Sequence, residues 1–139
     1  MTEANFWRDT VRPRLGVFGI VQRLEIPNVP DTLYCIRGAA GLIELKHAYE
    51  WPAKSVTPMH FAYFTVEQVN WIEAWHDAGG RCFVLAQVGH DYLLYGAKTA
   101  RIIQRGVTRR IHIANSLVHD YGKFPTGAIV KCLVGSAAT

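Results

Sequence analysis

The sequence lacks the features of a membrane-spanning or a disulfide-bonded protein. Its hydrophobic runs are short, and none approaches the roughly 18 residues that a membrane span needs. The first residues, Met1 to Ala4, carry neither the basic segment nor the apolar core of a signal peptide. The three cysteines (Cys35, Cys82 and Cys132) are far apart, and no CxxC pair indicates zinc. We therefore expect a reduced, intracellular, cytoplasmic protein with no membrane partner and no organic cofactor.

The composition that is present is typical of one folded domain. The chain has 139 residues, of which 50% are hydrophobic and 19% are charged, and this suffices for one core. No internal repeat or linker-like tract divides it, so we predict a single domain over 1–139. The net charge of +4 permits a polyanionic partner but does not require one.

Patterns of apolar residues and breakers predict a mixed α/β fold. The clearest helix is 65–78, because Thr65 and Gln68 form a capping-box pair and Gly79-Gly80 supplies the stop. The other predicted elements are a helix over 5–12 that Pro13 ends or kinks, a strand in the later half of 16–26, strands over 31–36 and 41–47, a loop over 48–64, strands over 81–88 and 92–95, a helix over 97–104, a helix near 113–119 and a strand near 128–134.

The most informative spacing joins Pro30-Asp31 to Glu44-Leu45-Lys46. Glu44 and Lys46 point to the same face of a strand. If Arg37-Gly38 are the two central residues of a hairpin turn, Asp31 lies opposite Glu44, and directly opposed side chains share a face about 5 Å apart. This turn would bring two carboxylates and an ammonium together.

A longer turn would separate these groups. A four-residue loop over Gly38 to Gly41 would instead place Asp31 opposite Ala48, too far from Glu44 to share an ion.

With the tight turn, the two carboxylates repel unless a cation lies between them or one is protonated. Hard oxygen ligands suit Mg²⁺, or Mn²⁺ as a substitute. Such an ion activates water and shields a phosphodiester, and Lys46 can orient that water or neutralise phosphate charge.

These residues resemble the signature of the PD-(D/E)xK nucleases. The segment Thr65-Val66-Glu67-Gln68, with Trp71 and Ala78-Gly79-Gly80 after it, is similar to the VRR-NUC branch and to phage Holliday-junction-resolvase-like nucleases. The resemblance covers Phe6 to Tyr95, so 97–139 is expected to be a basic C-terminal extension of the nuclease-like core. It implies a restriction-endonuclease-like mixed β-sheet flanked by α-helices. It also implies, as one origin of the protein, a phage gene expressed in a bacterial host.

The resemblance also implies roles for individual residues. Asp31, Glu44 and the backbone carbonyl of Leu45 would bind the metal, Lys46 would be the catalytic lysine, and Gln68 would lie near the active site. A Gln68 amide that serves the capping box could fill both roles only in part. Many members of the family carry a glutamate on the first helix, for which this chain offers only Glu3 or, ranked lower, Glu25. Asn28 replaces the glycine usually found before the motif.

A cluster of basic residues follows the predicted core. Arg101 and Arg105 are four residues apart on one helix face, and either phosphate contact or a solvated face explains the cluster. The candidate DNA-binding residues are Lys98, Arg101, Arg105, Arg109 and Arg110.

The predicted function is that of a Mg²⁺-dependent endodeoxyribonuclease. The resemblance implies branched DNA, such as a Holliday junction, as a substrate, and two symmetric cuts would need a homodimer. Two alternatives stay open. The chain could be a non-catalytic nucleic-acid-binding module on the same fold, or an assembly protein that uses an apolar C-terminal strand containing Ile129, Val130, Leu133 and Val134.

Overall fold

The computed structural model describes residues 2–135, which form one six-stranded mixed sheet with helices on both faces. The strands follow one another across the sheet in chain order, and only β3 and β4 are parallel. Their bounds are β1 Gly19–Arg23, β2 Thr32–Ile36, β3 Ala39–Ala48, β4 Cys82–Val88, β5 Asp91–Gly96 and β6 Val118–Tyr121.

The helices form two layers around this sheet. Their bounds are α1 Glu3–Phe6, α2 Arg12–Leu15, α3 Val66–Asp77, α4 Ala100–Arg105, α5 Arg109–Asn115 and α6 Thr126–Val134. One apolar core, which includes Val69 and Ile72 of α3, lies on one face of the sheet. The other core holds Phe6 of α1 and Leu133 of α6 on the opposite face. The central strand β4 is therefore buried along its whole length.

The first helical segment continues past its proline. A π-helical turn, Trp7–Val11, connects α1 to α2, and Pro13 occupies the first turn of α2. Pro13 lacks the backbone N–H of a helical hydrogen bond, and the π-helical turn directly before it is where the hydrogen-bond pattern of the segment changes. Of the two predicted outcomes, an end or a kink at Pro13, the end is wrong, and the π-helical turn before Pro13 is a departure from regular α-helical geometry.

The β2–β3 hairpin has the tight turn. Ile36 pairs with Ala39 and Thr32 pairs with Ile43, which confirms the predicted register and rules out the four-residue loop. Arg37 and Gly38 both have positive φ, 50° and 81°, as the two-residue type I′ turn requires. Strand β3 consequently starts at Ala39, two residues earlier than predicted.

Of two sequence-based predictions near the C-terminus, the strand is wrong and the helix exists with different bounds. The segment predicted as a strand near 128–134 is helix α6, in which Ile129, Val130 and Leu133 are buried at helical spacing. The helix predicted near 113–119 ends at Asn115, and the residues after it form β6. An apolar run of this length fits a buried helix as well as a strand, and packing against the sheet decides between them. The assembly hypothesis loses its premise, because α6 packs its apolar side into the core.

The loop between β3 and α3 is long, as predicted, but it is anchored. Met59 forms a β-bridge with Val107, and Thr65 and Gln68 form both hydrogen bonds of the capping box at the start of α3. Across the described part of the chain, no helix is long and apolar enough to cross a membrane.

Candidate active site

Asp31 lies just before β2, beside the middle of β3. Its Oδ1 accepts a hydrogen bond from the backbone N–H of Leu45 at 3.1 Å and another from the Thr32 hydroxyl at 3.1 Å. Its Oδ2 lies 3.8 Å from Nη1 of Arg23 on β1. The tight hairpin and the Leu45 amide together fix this carboxylate against the strand that carries Glu44.

Glu44 and Lys46 point to the same face of β3 and are both buried, at 2% and 3% exposure. The Lys46 Nζ lies 3.3 Å from Glu44 Oε1 and donates a hydrogen bond to the Tyr63 carbonyl at 3.3 Å. The Phe64 ring is 5.0 Å from the same Nζ, a cation–π contact. Lys46 is thus positioned both by its own strand and by the loop before α3.

Gln68 is positioned by the first turn of α3. Its Oε1 accepts from the Thr65 backbone N–H at 3.0 Å, and its Nε2 approaches Glu44 Oε1 at 3.5 Å. The two ends of one amide thus serve the capping box and the carboxylate together. The capping-box contact is the shorter of the two, and the role of Gln68 near the active site stays a prediction.

Glu3 is the residue that the sequence underrated. It stands in the first turn of α1 and faces the same cleft as Asp31, Glu44 and Lys46, a cleft of about 660 Å³. The sequence did indicate Glu3, because it is the first acidic residue of the first helix. It precedes the apolar pattern, however, and the sequence cannot show how α1 crosses the sheet. Glu25 also lines the cleft but is exposed.

Burial and the neighbouring negative charge raise the pKa values of two carboxyls in the cleft, Glu44 and Glu3. Burial, and then the charge of Asp31, raise the pKa of Glu44 to about 8, although Lys46 opposes the shift. Burial and the neighbouring Asp31 likewise raise the pKa of Glu3 to about 7. Like charges gathered in a poorly solvated cleft are stable only when some are protonated or a cation joins them.

The donor set fits a hard divalent cation. Glu44 Oε2 is buried and has no hydrogen-bond partner among residues 2–135, because Lys46 and Gln68 both bind the other oxygen. No three His, Cys, Asp or Glu side chains within that range form a ready-made metal cage. Mg²⁺ does not need such a cage, since it commonly takes one or two carboxylates and keeps several waters.

Two of the predicted DNA-binding residues, Arg101 and Arg109, bind other side chains of the protein. Arg101 binds Glu73, and its Nη2 also donates to Asn70 Oδ1 at 2.8 Å. Arg109 lies 3.2 Å from Asp91 Oδ2. Arg109 is nevertheless exposed, as are Lys98, Arg105 and Arg110.

Asp91 is a buried polar centre that sequence reasoning missed. Its carboxylate accepts from Trp51 Nε1 at 2.7 Å and lies 2.7 Å from Nε2 of His119, in addition to its contact with Arg109. It joins the loop after β3 to α5 and β6. His112 is separate from it, buried between the Tyr95 hydroxyl and the Met59 carbonyl.

Comparison with known proteins supports the fold. No protein-family model matches the chain, and no curated protein matches it by sequence. The structure is similar to that of Hjc from Archaeoglobus fulgidus, a Holliday junction resolvase from an archaeal hyperthermophile. The TM-score is 0.52 at 13% sequence identity, and the match covers 78% of this chain and 93% of that chain. The resemblance to the VRR-NUC branch stays a prediction, whereas the predicted fold class is confirmed: the chain has the restriction-endonuclease-like mixed sheet of the archaeal resolvase.

Proposed function

We propose that this protein is a metal-dependent DNA endonuclease that hydrolyses phosphodiester bonds, with branched DNA as its substrate. The observation that carries the proposal is the convergence of Asp31, Glu44 and Lys46 in one cleft, where a buried oxygen of Glu44 has no partner within residues 2–135. The fold it shares with a protein described as a Holliday junction resolvase supports the choice of substrate.

Each residue of the cleft has a proposed task. Asp31, Glu44 and the Leu45 carbonyl would hold Mg²⁺ or Mn²⁺, with Glu3 available beside them. The ion would lower the pKa of a bound water and shield the charge of the phosphodiester. An ammonium has three donors, and the contacts of Lys46 to Glu44 and Tyr63 occupy two of them. The third can donate to a phosphate oxygen in the cleft and stabilise charge that develops there.

Gln68 acts through Glu44. Its amide N–H₂ group approaches the oxygen that also faces Lys46, so it orients the carboxylate and leaves Oε2 without a hydrogen-bond partner among residues 2–135. The outer phosphates of the substrate would contact the exposed basic residues Lys98, Arg105 and Arg110. We also propose a homodimer, because two symmetric cuts across a junction need two active sites.

The proposal is tested by incubating purified protein with linear duplex, single strand, flap and four-way junction DNA, in Mg²⁺ or in EDTA. Denaturing gels should show cleavage that depends on Mg²⁺ and is greatest on branched DNA. Asp31→Asn and Glu44→Gln should each abolish cleavage while DNA binding survives. The matched control is Glu67→Gln, an exposed carboxylate on the same helix as Gln68, which should cut like the wild type.

Undiminished cleavage by Asp31→Asn or Glu44→Gln would end the catalytic assignment. Binding without cleavage in any metal would favour the non-catalytic binding module. Sedimentation of the free protein and of its junction complex tests the dimer, and one protomer per junction would contradict it.

A further inference from the structure

Tyr63 presents its ring to solvent on the rim of the candidate active site. Its exposure of 89% is the largest among the exposed large hydrophobic residues in the described chain. A tyrosine in that position adds almost nothing to the core, yet it lines the same cleft as Asp31, Glu44 and Lys46.

The exposure of Tyr63 is imposed by its neighbours. It stands in a turn in which the Phe64 N–H donates to the Phe61 carbonyl at 3.4 Å, and these two phenylalanines are buried at 5% and 4% exposure. The backbone of Tyr63 has a φ of 62°, a left-handed conformation that glycine adopts far more easily than a residue with an aromatic side chain. Strained residues of this kind concentrate at functional sites.

The turn is fixed from both sides. On one side, Met59 pairs with Val107 and its carbonyl accepts from His112 Nε2 at 2.7 Å. On the other side, the Phe64 carbonyl accepts from Gln104 Nε2 at 3.3 Å. The ring of Tyr63 is therefore carried by an anchored segment, and little order has to be gained when a ligand meets it.

The same residue is bonded to the candidate catalytic lysine. The Tyr63 carbonyl accepts a hydrogen bond from Lys46 Nζ at 3.3 Å, while its side chain is exposed at the cleft. The segment 24–29 also lines the cleft, and Ile26 in it is exposed. A nucleic-acid strand whose phosphate lies beside Lys46 would therefore pass close to Tyr63.

We propose that Tyr63 is a stacking platform for a nucleobase adjacent to the phosphate bound in the cleft. This inference rests on the proposed function and adds a preference to it. The faces of bases inside a continuous duplex are covered by their neighbours, whereas bases at a branch point, flap or gap offer a free face. Stacking on aromatic side chains is tolerant of base identity. Tyr63 thus selects DNA that is open at the cut and does not select a sequence.

The test measures binding and fluorescence on a junction and on a matched linear duplex, each with 2-aminopurine next to the branch point or its equivalent. Asp31→Asn protein is used so that the DNA stays intact. With Tyr63 present, binding should quench the 2-aminopurine signal on the junction. Introducing Tyr63→Ala into the Asp31→Asn protein should weaken its affinity for the junction about tenfold, as expected when one base no longer has a ring to stack on. The same substitution should remove the quenching of 2-aminopurine fluorescence.

Three variants separate stacking from other roles of this residue. Tyr63→Phe keeps the ring and should restore both affinity and quenching. Tyr63→Gly suits the positive φ, so it should fold and should show the same weakening as Tyr63→Ala. Tyr121→Ala removes an exposed tyrosine on β6, far across the sheet, and should behave like the parent protein. In cleavage assays, the effect of Tyr63→Ala should fall on KM more than on kcat.

The outcomes separate this inference from the proposed function. If the protein cuts branched DNA while Tyr63→Ala binds and quenches like its parent, the stacking inference alone fails. It also fails if Tyr63→Phe is weakened as much as Tyr63→Ala, because the hydroxyl and not the ring would then be recognised. Quenching by a protein that never cuts would uphold stacking and overturn the catalytic proposal. Absence of binding to every DNA would overturn both.

Discussion

Glu44 should make the stability of the metal-free protein fall as the pH rises. Its pKa rises from 4.5 to about 8 on folding, mainly because it is buried. A carboxyl with a raised pKa stabilises the fold only while protonated, so this contribution is complete below about pH 4.5 and is lost as the pH rises through about 8. One pKa unit corresponds to about 1.4 kcal/mol, so ionising Glu44 costs the folded state on the order of 5 kcal/mol.

The assay is urea denaturation followed by tryptophan fluorescence at pH 5.5, 7 and 8.5, in EDTA or in Mg²⁺. In EDTA, the free energy of unfolding should fall with pH more steeply for the wild type than for Glu44→Gln. Mg²⁺ should restore stability chiefly at pH 8.5, since it binds the ionised carboxylates, and saturation at a hundred times Kd adds about 2.7 kcal/mol.

Glu67→Gln is the control for this experiment, because it removes an exposed carboxylate and should leave the pH slope unchanged. Parallel pH curves for wild type and Glu44→Gln would refute the reasoning, since Glu44 would then ionise equally well in the folded and unfolded chain. A Mg²⁺ effect of equal size at pH 5.5 and pH 8.5 would refute the link between these carboxyls and the metal.

Other variants test separate parts of the structure. Lys46→Ala should lower the single-turnover cleavage rate by about a hundredfold or more, as expected for the removal of a group that stabilises developing charge, and near-normal rates would contradict its role. The double variant Lys98→Ala with Arg105→Ala should weaken DNA binding and reduce the salt slope by about 0.9 for each phosphate that is no longer neutralised. Arg101→Ala should change that slope less, because Glu73 and Asn70 already engage the guanidinium; an equal change would place it in the interface. Asp91→Ala should destabilise the protein by about 2–4 kcal/mol, measured by urea denaturation, because its three partners would be left without their buried acceptor; a smaller effect would show that those groups find water.

Local sequence patterns were enough to predict the β2–β3 hairpin, which positions the candidate ligands Asp31 and Glu44. Gly38 supplies a positive φ, the two-residue turn fixes the pairing of Ile36 with Ala39, and the alternation of β3 then places Glu44 and Lys46 on one face. The capping box of α3 is equally local, and it also orients Gln68. Predictions of this kind need only a few consecutive residues, so tertiary packing had little opportunity to overrule them.

Features that depend on distant contacts were not predictable from the sequence. An apolar segment such as 129–134 fits a strand or a buried helix, and only the space left beside β2 and β3 selects the helix. The position of Glu3 depends on how α1 crosses the sheet. The residues next to Glu3 in the sequence do not determine that path. The burial of Asp91 likewise needs Trp51, Arg109 and His119, which come from three separate segments.

The cleft therefore combines two kinds of positioning with different consequences for function. Asp31 and Glu44 belong to one hairpin, so their separation is set by a turn and a backbone hydrogen bond from Leu45. Lys46, in contrast, also depends on the loop that ends in the turn over 61–64, whose anchors lie on α4 and α5. Loosening that loop should leave the carboxylate pair, and with it metal affinity, nearly intact while it displaces the ammonium. Metal binding and cleavage should thus be separable by changes far from the hairpin.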